Sequence, residues 1–200
     1  MIEDRYRLDE TYHSEFFDSN DIDSMPFAIY IVPFLIEKFN IKRVLDIGCG
    51  RGHYVKCFQM YGAESYGVDG ATNNRTWCDR NSWRKRDLRD PMPMYSRIDF
   101  VMSIEVAEHI EEPFADIYVD NITKHEPNTI LMTAAPPGQG GPRHENCQEK
   151  YYWIDKLFKR GYKATDLYYN DIEAKVNKAD EVRINIPYWF LPNHMIFEKV

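Results

Sequence analysis

The sequence predicts an α/β fold, a parallel sheet with helices on both faces. Three observations point there. Short apolar runs bounded by glycine or acid recur at Arg43–Ile47, at 65–68, at 99–104 and at Thr129–Thr133. Helical patterns stand between them, at 53–61 and 113–125. The first run also ends in an acid and turns through Gly48, Gly50 and Gly52 into a helical pattern. Strands that alternate with helices in this way form parallel sheets.

The elements follow in order. Residues 1–20 are polar with scattered aromatics and no clean period. Ser24 reads as a helix N-cap with Pro26 in the first turn. Phe27, Ile31, Phe34 and Leu35 then give a core stripe, and Pro33 within it predicts a kink. Residues 43–47 form a buried strand, 53–61 a helix closed by Gly62, and 65–68 a second strand ending at Asp69. Strands at 99–104 and Thr129–Thr133 flank the helix at 113–125. Residues 136–147, rich in Gly and Pro, predict a loop. A helix at 148–160 buries Ile154, Leu157 and Phe158 and is capped by Gly161. Final strands are expected at 162–169 and His194–Lys199.

Composition excludes several classes. At 44% apolar and 28% charged residues, the chain is globular in character and not disordered. A net charge of −7 argues against a strongly basic, sequence-blind nucleic-acid binder. No apolar run approaches the roughly 18 residues of a membrane span, so no membrane association is expected. The N-terminal residues carry no apolar segment of a secretory signal. Cys49, Cys57, Cys78 and Cys147 form neither a CxxC pair nor a zinc spacing, and they read as reduced thiols of a cytoplasmic protein. No linker divides the chain, so a single domain is expected over 1–200, with 1–40 as an N-terminal cap or lid and 41–200 as the core.

The stretch Val44-Leu45-Asp46-Ile47-Gly48-Cys49-Gly50-Arg51-Gly52 carries the chemistry. Glycines admit positive φ and let a ligand approach the backbone. In open α/β sheets, ligands bind at the carboxyl ends of strands where the strand order reverses. The dinucleotide fingerprint is GxGxxG, whereas this pattern is DxGxGxG. The carboxylate of Asp46 disfavours a pyrophosphate and suits a cationic ligand. Asp69 ends the next strand, where an acid accepts hydrogen bonds from ribose hydroxyls.

This segment resembles the cofactor motif of the class I S-adenosylmethionine-dependent methyltransferases. Asp69 resembles that family's ribose acid, and Asp87-Leu88 its adenine-contacting pair after the third strand. Ser103-Ile104-Glu105-Val106-Ala107-Glu108-His109-Ile110 resembles the EVxEH motif that follows the fourth strand in one large branch. The matches run in order from residue 42 to about 135. The resemblance implies a Rossmann-like three-layer α/β/α sandwich, with a mostly parallel seven-stranded sheet and an antiparallel last strand. It implies S-adenosyl-L-methionine as cofactor, held by Asp46, Gly48, Cys49, Gly50, Gly52, Asp69, Gly70, Asp87, Leu88, Ile104 and Glu105.

Methyl transfer from a sulfonium is an in-line displacement on an electrophile that the cofactor has already activated. The protein must align acceptor and methyl group and exclude water. Glu105, Glu108 and His109 share one turn at the mouth of the cleft, and His144 lies in the loop after the next strand. These four offer ligands for Mg²⁺, Mn²⁺ or Zn²⁺. The small-RNA 2′-O-methyltransferases and the ubiquinone-pathway O-methyltransferases use similarly placed acids and histidines to bind a metal. His109 or His144 as a metal-free general base, with Glu105 beside the methyl-bearing end, is the alternative, and a supporting role in the cleft wall is a third.

The loop Pro136-Pro137-Gly138-Gln139-Gly140-Gly141-Pro142-Arg143-His144-Glu145-Asn146 should border the acceptor pocket. It resembles a loop of enzymes associated with carbohydrate or small-molecule acceptors. Tyr12 and His13 suit a lid over the cofactor. Cys49 is expected to be a small filler without a base to activate it. Arg75, Arg80, Arg84, Lys85, Arg86 and Arg89, with Trp77 and Trp83, make a basic run that reads as a solvated edge. The expected activity is O-methylation of a sugar or other small-molecule hydroxyl, possible with or without metal. An RNA ribose hydroxyl is the second acceptor class, disfavoured by net charge, and a non-catalytic cofactor-binding module the third.

Overall fold

The computed structural model describes residues 14–71, 76–95 and 97–200. Tyr12, His13 and Arg75 lie outside the described residues. In chain order the elements are α1 (Ser14–Phe39), β1 (Arg43–Ile47), α2 (His53–Met60), β2 (Glu64–Asp69), β3 (Trp83–Lys85) and β4 (Phe100–Ser103). They continue with α3 (Ala115–Thr123), β5 (Thr129–Thr133), α4 (Lys150–Phe158), β6 (Tyr162–Ala164), α5 (Tyr169–Asn177), α6 (Phe190–Asn193) and β7 (His194–Lys199).

Seven strands form one sheet in the order β3-β2-β1-β4-β5-β7-β6. The first five are parallel, and β7 runs antiparallel to both β5 and β6. The cause is legible in the strands themselves. Alternate residues face opposite sides of a sheet, and here both sides are apolar. Leu45, Ile47, Val101, Ile130 and Met132 pack with Tyr118, Trp153 and Leu157 of α3 and α4. Val44, Phe100, Met102 and Leu131 pack with Phe27, Ile31 and Leu35 of α1, Phe58 of α2 and Ile172 of α5. A sheet buried on both faces needs helices on both, which gives three layers.

Three sequence expectations are corrected. Ser24 caps nothing, because α1 begins at Ser14 and continues through Ser24, Pro26 and Pro33. The fully buried stripe of Phe27, Ala28, Ile31, Val32 and Leu35 offsets the hydrogen bonds the prolines remove. On α4 the buried face is centred on Trp153 and Leu157, which leaves Phe158 63% exposed. The segment 162–169 holds a strand only to Ala164, where pairing with β7 ends, and α5 follows with Ile172 and Val176 buried at helical spacing.

Candidate active site

The strand order reverses between β1 and β4, and a cleft of about 470 Å³ opens at their carboxyl ends. That volume lies in the range of small-molecule sites. β1 and β4 register Asp46 against Met102, so Asp46 and the Glu105 segment meet at the same edge.

The turn after β1 is built by glycine where only glycine fits. Gly48 has φ 79°, and its N–H donates to the Val68 carbonyl at 2.8 Å. A Cβ there would stand 2.2 Å from Val106 Cγ2. Gly52, also at φ 79°, opens α2. The Gly50 N–H donates to Asp69 Oδ2 at 2.8 Å, and its carbonyl accepts the Trp83 indole N–H at 2.9 Å. Asp69 Oδ1 accepts from the Ala71 N–H at 2.8 Å, so the second strand's acid organises both its own turn, with Gly70, and the glycine turn.

Asp46 is 2% exposed, and its Oδ2 has no hydrogen-bond partner among the described residues. Burial, then the neighbouring Asp69 carboxylate, raises its carboxyl well above the usual range. A cationic group entering the cleft would relieve both effects. This orphaned acid, together with a cradle that a Cβ would fill, fits the amino-acid end of S-adenosylmethionine. Cys49 is buried, and burial followed by Asp46 and Asp69 holds its thiol protonated, so it is no nucleophile.

Asp87 lines the cleft but is bound by its own neighbour. Its Oδ1 accepts from Arg89 Nε at 2.9 Å and its Oδ2 from Nη2 at 2.8 Å. Leu88 is buried in the core face beneath. Arg89 therefore leaves the basic run: it is 4% exposed and also pairs with Glu111 at 3.1 Å. Arg80, Arg84, Lys85 and Arg86 remain exposed.

The segment after β4 places the remaining candidates. Ile104 is half-buried against the α1 face. Glu105 has φ 51°, and its N–H donates to Thr133 Oγ1 at 2.8 Å. Its carboxylate accepts from Asn193 Nδ2 and from Gln139 Nε2, each at 3.0 Å. Glu108, His109 and His144 come together instead, with one ligand atom of each within 4.8 Å of the others. Glu105 falls outside that cluster, so the four-residue ligand set expected from sequence reduces to three.

Glu108 is fully buried, and neither carboxylate oxygen has a hydrogen-bond partner among the described residues. Burial, then Glu105, raises its carboxyl. His109 Nδ1 donates to the Arg143 carbonyl at 3.1 Å, and His144 Nδ1 to the Gln139 carbonyl at 2.9 Å. A carbonyl can only accept, so both rings carry a proton on Nδ1, and in the neutral form the lone pair falls on Nε2. That is the tautomer of a metal-ligating or proton-accepting imidazole. Burial lowers His109 to about 4, which keeps it neutral. The two rings meet edge to face at 4.9 Å. The loop reaches them because the Glu108 carbonyl accepts the N–H groups of Glu145 and Asn146, each at 2.9 Å.

Sequence reasoning missed Asn193, whose partners lie far along the chain, and Arg51, which is buried and pairs with Asp18 at 2.6 Å. It also missed Tyr188 and Trp189 in the cleft wall. The adjacent Pro-Tyr-Trp was the one available signal.

A family model described as a methyltransferase domain matches residues 15–137, more than half of the chain. No curated protein sequence matches it. Among solved structures, a SAM-dependent methyltransferase from Archaeoglobus fulgidus is similar with a TM-score of 0.62 at 18% identity, over 94% of this chain and 100% of that one. Burkholderia thailandensis 1,6-didemethyltoxoflavin-N1-methyltransferase, with 1,6-didemethyltoxoflavin and S-adenosylhomocysteine bound, gives 0.66 at 14% identity, over 98% and 87%. The magnesium protoporphyrin IX methyltransferase of Synechocystis PCC 6803, with SAM bound, gives 0.57 at 15%, over 98% and 88%. At these identities the likeness is one of fold.

Proposed function

This chain belongs to the methyltransferase domain family of S-adenosylmethionine-dependent enzymes, and on that premise we propose that it methylates a hydroxyl of a sugar or other small molecule. One observation carries the reading: the orphaned Asp46 carboxylate and the Glu108–His109–His144 cluster belong to one end of the sheet, with Asp46, His109 and His144 lining one cleft. A cation-seeking acid thus shares a cleft with groups suited to a hydroxyl.

In this reading Asp46 takes the ammonium of the methionine end, Asp69 the ribose hydroxyls, and Asp87 with Leu88 the adenine. Gly48, Gly50 and Gly70 give the cofactor close backbone approach. Within the N-terminal region, Asp18 and Ser24 support a capping role for α1, through the Asp18–Arg51 ion pair and the place of Ser24 in the cleft lining. Glu108, His109 and His144 fit a divalent cation, Mg²⁺, Mn²⁺ or Zn²⁺, by the chemistry of the donor set. A bound cation supplies a lowered pKa for an acceptor hydroxyl. The chain's own part is to fix both imidazoles by their Nδ1–H bonds and to shield the cleft from water. Without metal, His144 Nε2 takes the hydroxyl proton. No helix among the described residues is long and apolar enough to cross a membrane. The four cysteines are free thiols, which supports a reducing, cytoplasmic setting.

The test is incubation with methyl-labelled S-adenosylmethionine and a fractionated cell extract, with divalent metal present. Label in the glycan or small-molecule fraction is the expected result. Label confined to RNA contradicts the acceptor assignment.

A further inference from the structure

We infer that Tyr188 and Trp189 form a stacking platform for the acceptor, and that the acceptor presents an uncharged sugar ring to it. The inference deepens the function proposed above and rests on it.

The platform is an anchored one. Tyr188 lines the cleft while remaining 78% exposed. A ring so open to water is no core residue, and its place in the cleft lining leaves it available to a ligand there. Trp189 beside it is half-buried, 6.2 Å from the Phe190 ring, which stands 4.8 Å edge-on to Phe27 in the core. Asn193, at the other end of α6, donates to Gln139 Oε1 at 3.0 Å and so ties this segment to the His144 loop. The stacking surface and the proton-accepting groups are therefore parts of one braced assembly.

Charge selects the ligand class. Three Lys or Arg residues line the cleft among those described: Arg51, Arg89 and Arg143. Each is committed to carboxylates. Arg51 pairs with Asp18, Arg89 with Asp87 and Glu111, and Arg143 with Glu111 and Glu145. A phosphate or carboxylate on the acceptor would have to break one of these pairs, and beside the cofactor it would also meet the Glu105 carboxylate. The acceptor therefore carries no negative charge, and an uncharged sugar ring meets that condition.

The character of the wall narrows the class further. The cleft joins an aromatic stretch, Pro187–Trp189, to a polar one, Gln139 and His144. A sugar ring is amphipathic in the same way, with a C–H face that stacks and hydroxyls at its edge. An acceptor without hydroxyls at its edge would leave the polar stretch unmatched.

The experiment is ligand-observed NMR and calorimetry on the full chain saturated with S-adenosylhomocysteine. The probes are a panel of methyl glycosides of common hexoses and pentoses and, separately, a short oligoribonucleotide. At least one glycoside is expected to bind. Tyr188→Ala should weaken it about tenfold, the size of one aromatic contact. Tyr188→Phe should retain it, and both variants should bind S-adenosylhomocysteine as the wild type does. Failure of every glycoside, or glycoside binding indifferent to Tyr188→Ala, overturns the platform. Oligoribonucleotide binding that falls steeply with salt overturns the uncharged acceptor. Failure of the wild type to bind S-adenosylhomocysteine overturns the underlying reading instead.

Discussion

Asn193 Nδ2 donates to Glu105 Oε1 at 3.0 Å, across 88 residues of chain. The same nitrogen reaches Gln139 Oε1 at 3.0 Å, and Gln139 Nε2 closes the triangle on Glu105 Oε2 at 3.0 Å. Three planar side chains thereby lock the end of β4, the loop after β5 and α6. The Gln139 carbonyl in turn holds His144 by its Nδ1.

Asn193→Ala removes one corner of this triangle and leaves a carboxylate oxygen short of a donor. Asn193 is 1% exposed, so water does not readily replace it. A loss of about 1–3 kcal/mol in urea denaturation is expected, with a lower methylation rate. Asn193→Asp should cost more, because it sets a second carboxylate against Glu105. Stability equal to wild type in both variants would show that the triangle braces nothing.

Gly141 has a separate role, set by contact and not by φ. A Cβ there would stand 2.2 Å from His144 Nε2, so Gly141→Ala must displace the imidazole. Gly141 is exposed, and its substitution should change stability by less than about 1 kcal/mol. Mn²⁺ titration followed by electron paramagnetic resonance should show affinity reduced about tenfold or more in both Gly141→Ala and Glu108→Gln. Wild-type affinity in both variants would remove the metal role from this cluster.

Much of the frame was legible because it is written locally. Thr129–Thr133 and His194–Lys199 match their expected bounds, since strands buried on both faces read as continuous apolar runs. The turn from Gly48 to Gly52 was legible because each glycine there answers a positive φ. What could not be read depended on distant partners. α1 outlasts two prolines because the sheet holds its stripe, and Trp153 displaces Phe158 because α3 and the sheet supply its pocket. The hold of Asn193 and Gln139 on Glu105 was likewise out of local reach, and the withdrawal of Arg89 from the basic run follows from Asp87 and Glu111.

His125 makes stability sensitive to acid away from the cleft. It is 3% exposed, and its Nδ1 accepts the Tyr95 N–H at 3.1 Å. Burial lowers it from 6.5 to about 4. The unfolded chain therefore binds the proton first as pH falls. This contribution is complete above pH 6.5 and is lost progressively toward pH 4, amounting to about 3 kcal/mol. Urea denaturation across that window should show a shallower pH dependence in His125→Gln than in wild type. Parallel curves would remove His125 from the acid response.

In the proposed function the turn between Asp46 and Asp69 holds S-adenosylmethionine. Isothermal titration of S-adenosylhomocysteine into the wild type and Asp69→Asn, with folding checked by circular dichroism, tests it most directly. One site per chain is expected in the wild type, with affinity about 10- to 100-fold weaker in Asp69→Asn, the scale of a lost charge-assisted hydrogen bond. A wild type that does not bind, or a folded Asp69→Asn that binds equally well, would contradict it.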